Sequence, residues 1–271
     1  MADDAACVVV TYDALPWLEQ CLASVAGVDT VVVDHGSSDG TVAFVRERFP
    51  AVRVVEAENR GLAAGWNRGV AETSAAHVLI LNADAWLVGA ALASLLEVAG
   101  RYPRAAVVAP RLRYPDGSLQ RSARGFPSLW RIATEYLYLR KLAPRSRAVN
   151  AYYAGDFDHD EERVVDWVMG SCFLLRRSVY DEVGPFDERF NPAYVEDTDY
   201  WHRAWELGIE LAPVPAGRVT HARRTSADQR SDWLLTAHRY MYGWKHGVEP
   251  MGPPPYYKRE ITEYHCETVS T

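Results

Sequence analysis

Short apolar runs alternate with segments of helical spacing along the first 110 residues. The runs are rich in valine, isoleucine and leucine, which is typical of strands covered on both faces. They predict buried strands at residues 6–11, 30–34, 52–56, 77–82 and 105–110. The helical spacing predicts helices that begin near Pro16, at about residue 42, within residues 59–69 and after Ala90. This order predicts an α/β fold: an open, mostly parallel, twisted sheet with helices on both faces.

The second half of the chain is less regular. Residues 120–127 predict an irregular connection, residues 156–162 an exposed acidic loop, and residues 248–271 an extended or disordered tail. Strands are predicted at residues 164–175 and 209–219, and helices at residues 130–142, 178–182, from about 196, and 232–246. Gly170, inside a predicted strand, indicates a place where another backbone or a ligand comes close.

Charge is unevenly distributed along the chain. Lys and Arg number 29 against 36 Asp and Glu, and the net charge of −7 argues against binding of nucleic acid. Residues 101–150 nevertheless hold eleven basic residues against Asp116 and Glu135. Two interpretations stay open for this basic segment: an anionic partner, such as a phosphorylated substrate or a lipid headgroup, or a solvated helical face.

Cysteine usage and hydropathy predict a cytoplasmic protein, either soluble or peripheral to a membrane. The four cysteines show no CxxC spacing and no disulfide-dense pattern, which favours reduced thiols. No apolar run approaches the roughly 20 residues of a membrane span. The acidic start of the chain is unlike a signal peptide.

The sequence lacks the motifs that several common enzymatic reactions require. No strand is followed by GxGxxG, there is no Walker loop, and GxSxG and HExxH are missing. No lysine precedes Lys141, so a loop lysine cannot hold phosphates in the amino-terminal sheet, which counts against a sugar nucleotidyltransferase. Cys172 and His202 lie in apolar contexts that favour packing over a nucleophile pair.

Carboxylates recur where the predicted strands end. Asp34 can accept a hydrogen bond from the ring N–H of uracil or thymine. Asp84 can coordinate Mg²⁺ or Mn²⁺ beside a diphosphate. Asp197 can act as a general base, and His221 can supply a nitrogen ligand to the same metal. Each residue alone is more often structural, but their recurrence at strand ends predicts one joint site.

These residues fall within an ordered series of motifs. It reads VVVDHGSSDGT at residues 31–41, NRGLAAGWNRG at 59–69, LNAD at 81–84, VMGSCFLLRR at 168–177, FDERFNPAYVEDTD at 186–199 and VTH at 219–221. The order and spacing resemble family 2 glycosyltransferases with the GT-A fold, over roughly residues 6–247. RSARGFPS at 121–128 and VDW at 165–167 further resemble the bacterial rhamnosyltransferases of that family.

The resemblance implies a role for each matching residue. Contacts with the nucleotide-sugar are implied for Thr11, Asp34, Asn59, Arg60, Gly61, Asn82 and Asp84. Asp197 is implied to be the catalytic base, with Glu196 as the alternative. Contacts with the acceptor are implied for Arg124, Trp167 and Gly170. Family members of this kind invert the anomeric centre in a single displacement, in which the base activates an acceptor hydroxyl.

A divalent cofactor, Mg²⁺ or Mn²⁺, follows from the same resemblance. Asp84 matches the last aspartate of the DxD metal motif, and His221 matches a further ligand. Asn82 departs from the motif, since an aspartate is expected there and an amide oxygen is a weaker ligand. We therefore expect the metal to bind weakly until the nucleotide supplies its phosphates.

The expected partners are a dTDP- or UDP-sugar donor, with rhamnose favoured, and a saccharide, glycolipid or other small-molecule acceptor. The basic segment and the predicted aromatic helix are candidates for contact with a lipid-linked acceptor at the inner face of the membrane. They are equally candidates for binding a soluble acceptor or for closing the fold. The aromatic residues of that helix are Trp233, Tyr240, Tyr242 and Trp244.

The expected organisation is a GT-A domain over residues 1–222, followed by a helix and extended tail at 223–271. Within the domain, we expect a nucleotide-binding half at about residues 1–110 and an acceptor half at about 111–222. Two alternatives stay open: a non-catalytic nucleotide-sugar-binding protein on the same fold, and a sugar nucleotidyltransferase. Absence of donor turnover would identify the first, and release of pyrophosphate the second.

Overall fold

The computed structural model describes residues 4–124, 142, 162, 165–222 and 232–247. The strands are β1 (Ala5–Thr11), β2 (Asp29–Asp34), β3 (Arg53–Glu56), β4 (His77–Asn82), β5 (Ala85–Val88), β6 (Ala105–Arg113), β7 (Leu119–Gln120), β8 (Ala123–Arg124), β9 (Trp167–Val168), β10 (Cys172–Arg176) and β11 (Glu210–His221). The helices are α1 (Leu15–Ser24), α2 (Thr41–Arg48), α3 (Leu62–Ala71), α4 (Ala91–Arg101), α5 (Arg177–Val183), α6 (Glu196–Glu206) and α7 (Asp232–His246). The predictions for residues 130–142, 156–162 and 248–271 lie outside the described residues, apart from residues 142 and 162.

One mixed sheet organises the described part of the chain. Its strand order is β3-β2-β1-β4-β10-β6-β11-β5, and β7 pairs with β6. The strands β3, β2, β1 and β4 run parallel, as do β6 and β11, whereas β10 is antiparallel to both β4 and β6. The α/β prediction is therefore confirmed.

Side chains of the central strands alternate between two apolar layers, because successive residues of a strand point to opposite faces. On β4, Leu79 and Leu81 pack with residues of α1 and α4, whereas Val78 and Ile80 pack with residues of α3, α5 and α6. Cys7 and Val8 divide between the same two layers on β1. The continuous apolar runs of the sequence are thus explained by burial on both faces of the sheet.

The glycines of α3 are required by its close approach to β1. A Cβ atom at Gly69 would lie 2.2 Å from Cγ1 of Val8, and one at Gly65 would lie 2.7 Å from Cγ1 of Val10. The NRGLAAGWNRG motif therefore lets α3 pack directly against the sheet. The amino-terminal end of α3 lies near the ends of β1 and β2.

Three predictions about secondary structure needed correction. The predicted strand at residues 164–175 is divided into β9 and β10, with Gly170 between them, and Gly170 is indeed a close approach. Residues 120–127, predicted to be irregular, include the two-residue strand β8, because Ala123 and Arg124 pair with β9. Strand β5 was missed. Its four residues pair antiparallel with β11, and no local sequence pattern predicts that pairing.

The sheet register brings the candidate residues to one edge. Thr11 pairs with Asp34, and Val10 pairs with Asn82, so the carboxyl ends of β2, β1 and β4 lie side by side. His221 pairs with Ala85 at the far end of the same sheet edge. In open α/β sheets this edge is where ligands bind.

Candidate active site

A cleft opens at the carboxyl ends of β1 and β4. Its lining is Val10, Thr11, Tyr12, Ala14, His35, Asn59, Leu62, Asn82, Ala83, Pro192, Ala193 and Tyr194. Thr11, Asn59 and Asn82 were predicted to contact the nucleotide-sugar, and the structure brings all three to this cleft. One wall comes from residues 192–194, which are more than 100 positions away from the rest of the lining.

Asp34 organises the loop behind the cleft. Its carboxylate accepts hydrogen bonds from Oγ1 of Thr11 at 2.9 Å, from the Gly36 N–H at 3.0 Å, and from both the N–H and Oγ of Ser37, at 2.9 and 2.5 Å. Asp34 is only 1% exposed. Because a carboxylate offers about four acceptor positions, a nucleobase N–H would have to replace one of these donors.

The Asn59-Arg60-Gly61 loop is joined to the opposite wall. The Leu62 N–H donates to the Pro192 carbonyl at 2.7 Å, and Arg60 pairs with Glu188 at 3.0 Å. Gly61 has φ 92°, and a Cβ atom there would lie 2.9 Å from the Pro192 carbonyl oxygen. Glycine is therefore needed both for its backbone conformation and for this close contact.

Asp84 and His221 form the candidate metal pair. Nε2 of His221 lies 3.4 Å from Oδ1 of Asp84, and both residues are buried. Two cis ligands of an octahedral Mg²⁺ ion lie about 3 Å apart, since each is about 2.1 Å from the metal. The pair therefore fits a hard divalent cation, with Asp84 as an oxygen ligand and His221 as a nitrogen ligand.

Gln120 orients His221, and sequence reasoning missed it. Oε1 of Gln120 lies 2.9 Å from Nδ1 of His221, and the glutamine is 2% exposed. An N–H on Nδ1 donates to this oxygen and leaves the Nε2 lone pair toward Asp84. Metal-binding histidines commonly have such an outer partner. The pairing of β7 with β6 carries Gln120 into place, so its role depends on tertiary structure.

A second group of potential metal ligands, which contains two histidines and a glutamate, does not point to a single metal position. The ligand atoms of His202, Glu206 and His246 lie within 4.8 Å of one another. The two imidazole rings are stacked, with centroids 4.2 Å apart and planes at 13°. Lone pairs on ring nitrogens lie in the ring planes, so these two do not point to one ion, and we attribute the group to packing between α6 and α7.

Asp197 is held by backbone donors at the start of α6. Oδ2 accepts the Gly170 N–H at 2.9 Å, and Oδ1 accepts the Thr198 N–H at 2.6 Å. Burial raises the pKa of the Asp197 carboxyl, and the hydrogen bonds from Gly170 and Thr198 offset that rise only in part. The arrangement fixes the carboxylate while keeping it more basic than an ordinary aspartate.

Glu196 is the weaker candidate for the base. It is 3% exposed, and its Oε2 has no hydrogen-bond partner among the described residues. Burial, and after it the charge of Asp197, raise the pKa of Glu196 well above its ordinary value. A buried carboxyl with a raised pKa keeps its proton to higher pH than an ordinary glutamate, and a protonated group cannot accept the proton of an acceptor hydroxyl.

Two of the three predicted acceptor residues, Arg124 and Trp167, lie on one small sheet. Arg124 pairs with Trp167 across β8 and β9. Trp167 is largely buried in the layer beneath the sheet, and Gly170 faces Asp197 and Trp66. Contact of the three residues with an acceptor stays a prediction. The structure adds that Gly170 holds the candidate base.

Replacing Gly170 by alanine tests that contact. The added Cβ would lie 2.6 Å from Cη2 of Trp66 and 3.3 Å from Oδ2 of Asp197. We expect a loss of about 1–3 kcal/mol in the free energy of unfolding and a fall in kcat of about 10- to 100-fold, since the base shifts. Urea unfolding and initial rates measure the two effects. Gly100→Ala is the control, because open space surrounds that helical glycine. Equal kcat values for the two variants would contradict the proposed contact.

His35 and residues 192–194 are further cleft residues that sequence reasoning missed. Burial lowers the pKa of His35 despite the nearby charge of Asp34, so its ring is neutral near pH 7. His35 directly follows a predicted strand, and the strand-end criterion that selected Asp34 applies to it equally. Residues 192–194 follow no strand, so only the folded chain reveals them.

A GT-A glycosyltransferase is the class of protein that this fold and site define. The chain belongs to glycosyl transferase family 2, whose model matches residues 6–184. It also resembles the N-acetylglucosaminyl-diphospho-decaprenol L-rhamnosyltransferases of two Mycobacterium tuberculosis strains, CDC 1551 / Oshkosh and ATCC 25618 / H37Rv. Each is 33% identical over 272 residues, which covers 90% of this chain and 88% of the relative. The predicted family and the predicted resemblance to bacterial rhamnosyltransferases are confirmed.

Solved structures support the fold. GalNAc-T7 with UDP, GalNAc and Mn²⁺ matches 80% of this chain at 16% identity, with a TM-score of 0.61, and the chain spans 42% of that protein. The mannosyltransferase PcManGT from Pyrobaculum calidifontis, in complex with GDP-Man and Mn²⁺, matches 93% of the chain at 20% identity. Its TM-score is 0.60, and the chain spans 66% of it. At these identities the likeness establishes the GT-A fold alone.

None of the helices in the described residues combines the length and the apolar character that crossing a bilayer requires.

Proposed function

We propose that this glycosyltransferase moves rhamnose from dTDP-rhamnose to a hydroxyl of N-acetylglucosamine linked through diphosphate to a polyprenol, with inversion. The rhamnosyl group and the acceptor class are those in the name of the mycobacterial relatives, which match along nearly their whole length. The observation that carries the proposal is Asp197, a carboxylate of raised pKa that is held by the Gly170 N–H three positions after Tyr194 of the cleft lining.

Asp197 would take the proton from the acceptor hydroxyl as its oxygen attacks the anomeric carbon. The bond from that carbon to the phosphate oxygen breaks, and its electron pair leaves with the nucleoside diphosphate. One displacement from the opposite face inverts the anomeric centre. The base contributes about 10²- to 10⁴-fold to such a step.

Asp84 and His221 would hold a divalent cation near the donor diphosphate, with Gln120 orienting the histidine. When bound, Mg²⁺ or Mn²⁺ neutralises the negative charge that develops on the leaving nucleotide. Asn82, at the end of β4 and on the cleft lining, would bind the ribose or the metal through its amide oxygen.

Thr11, Asn59 and the neutral His35 would line the nucleoside site. In this proposal Asp34 accepts the ring N–H of thymine or uracil. To make room for it, the half-buried Ser37 gives up its own hydrogen bond to Asp34. Arg60 and Gly61 would act mainly by joining this site to the 192–194 wall.

The function is tested by incubating the protein with dTDP-rhamnose, UDP-N-acetylglucosamine or GDP-mannose and a short-chain polyprenyl-diphospho-N-acetylglucosamine. We expect transfer from dTDP-rhamnose, with Mn²⁺ or Mg²⁺ increasing the rate. Thermal shift with each nucleotide provides a second readout, because a ligand that binds the native state stabilises it by RT ln(1 + [L]/Kd). Faster transfer from either other donor would overturn the choice of rhamnose.

The pH dependence of transfer should follow Asp197. A base must be ionised to act, and burial raises the pKa of this carboxyl. We therefore expect kcat/KM to fall as the pH drops through a value above the ordinary aspartate pKa of about 3.9. Initial rates between pH 4 and 9 would show this acidic limb. A kcat/KM that stays constant down to pH 4 in the folded protein would contradict the assignment.

An enzyme that uses a polyprenol-linked acceptor would contact a membrane surface. In this proposal that surface is the cytoplasmic face. On α7, Tyr240 and Trp244 are 62% and 83% exposed, whereas Tyr242, predicted alongside them, is fully buried. We expect Trp244→Ser to lower retention on anionic lipid vesicles several-fold, because the exposed indole suits the headgroup region. Sedimentation with vesicles measures this retention, and Trp205→Ser on α6 is the control. If retention of Trp244→Ser equals that of the wild type, α7 does not contact the membrane.

A further inference from the structure

Helix α7 packs against the segment that carries Asp197 and holds it in position. This segment, residues 185–199, lies beyond the part of the chain that the family model matches. It supplies the 192–194 wall of the cleft and ends in the first turn of α6. Its position therefore affects both the donor site and the base.

Lys245 joins the two ends of this segment. Its Nζ lies 2.8 Å from Oδ2 of Asp187 and 2.7 Å from Oδ1 of Asp199. The Asp199 side chain is fully buried, and that of Lys245 is 22% exposed. One ammonium group thus bridges two carboxylates that are twelve positions apart, one on each side of the cleft wall.

Other residues of α7 hold the middle of the segment. Nδ1 of His238 lies 3.2 Å from the Ala193 carbonyl oxygen and 3.1 Å from that of Tyr194. Tyr242 is buried against Phe190 and Val195. Helix α7 consequently contacts the segment at its beginning, along the cleft wall and at its end.

Asp199 stays charged in this setting. Its burial raises the pKa, but hydrogen bonds from His246 and Lys245, together with the charge of Arg203, outweigh burial, and the pKa is lowered. The carboxylate therefore keeps its ion pairs near neutral pH, and the bridge through Lys245 persists under the conditions of catalysis.

We propose that Lys245 is a positioning residue for the catalytic base. It holds Asp199, and through the first turn of α6 it fixes Asp197, two residues earlier, against the Gly170 N–H. By holding Asp187 as well, it keeps the 192–194 wall against the Leu62 N–H. The inference rests on the proposed role of Asp197 and extends the active site to a helix outside the matched family region.

Lys245→Met removes the bridge while keeping the apolar stem of the side chain. Arg189→Met is the matched control: Arg189 pairs with the same Asp187 at 2.6 Å, but it is 60% exposed and reaches only one end of the segment. We expect Lys245→Met to lower kcat about 10- to 100-fold, because a misplaced base is costly. Arg189→Met should stay within about twofold, and Lys245→Arg should recover part of the loss.

Hydrogen exchange provides a readout that needs no substrate. The Leu62 and Gly170 amides donate to Pro192 and Asp197, so both should exchange at least about tenfold faster in Lys245→Met and at the wild-type rate in Arg189→Met. If Lys245→Met does not fold, Asp187→Asn releases one end alone and should speed exchange at Leu62. Wild-type exchange at Leu62 and Gly170 in folded Lys245→Met, or at Leu62 in Asp187→Asn, would overturn the proposal. A wild-type protein that transfers no sugar would instead overturn the proposed function, and exchange would still decide the role of Lys245.

Discussion

Asp197→Asn should reduce kcat by about 10³-fold or more while leaving nucleotide binding nearly unchanged. An amide keeps the shape of the side chain but cannot take a proton, and a positioned general base contributes about 10²- to 10⁴-fold. The Gly170 and Thr198 amides donate to different oxygens of the carboxylate, so in the variant one of them keeps the carbonyl oxygen as its acceptor and the other faces the NH₂ group. Single-turnover rates and calorimetric titration with dTDP separate the chemical step from binding.

Two further variants make that result specific. Asp181→Asn introduces the same change at an exposed site on α5 and should leave kcat unaltered. Glu196→Gln should cost much less than Asp197→Asn, because burial raises the pKa of Glu196 and favours its protonated form. If instead Asp197→Asn keeps most of the activity and Glu196→Gln loses it, the base is Glu196.

Asp84→Asn should weaken Mn²⁺ binding to the nucleotide complex by at least about 100-fold, with a comparable loss of kcat. Loss of a ligand that contacts the metal should exceed the 10- to 100-fold cost of losing an outer partner. Asp84 is the one carboxylate at the tip of β4, and His221 lies 3.4 Å from it. Electron paramagnetic resonance of free Mn²⁺ measures the affinity directly.

Asn82→Asp is the reciprocal experiment. It restores the second carboxylate of the DxD motif, so Mn²⁺ should bind the nucleotide-free protein more tightly than it binds the wild type, because ligand charge raises affinity. If Mn²⁺ binds the free wild-type protein tightly, the idea that Asn82 weakens the site is wrong. If Asp84→Asn binds Mn²⁺ as the wild type does, the metal lies elsewhere.

The strands and helices of residues 1–110 were predictable because their determinants are local. Runs such as residues 77–82 are buried on both faces of a parallel sheet, and such burial leaves a continuous apolar signal. The ends of those runs then gave Asp34 and Asp84, and the final strand gave His221. The parallel register explains why residues far apart in sequence reach one edge.

The parts that escaped prediction depend on contacts between distant segments. Gln120 reaches His221 only because a two-residue strand pairs with β6. Gly170 was predicted to contact the acceptor, and the contact of its amide with Asp197 was not foreseen. Lys245 lies on a helix predicted as an appendage, and its two carboxylate partners are 58 and 46 residues away in sequence. No periodicity or spacing encodes such contacts.

Inverting sugar transfer with Asp197 as base is tested by proton NMR of the product made from dTDP-rhamnose and a polyprenyl-diphospho-N-acetylglucosamine acceptor, with the wild-type protein and Asp197→Asn in parallel. We expect a rhamnosyl product whose anomeric configuration is opposite to that of the donor, formed by the wild type alone. A product of retained configuration, or the same product formed at a similar rate by Asp197→Asn, would contradict it.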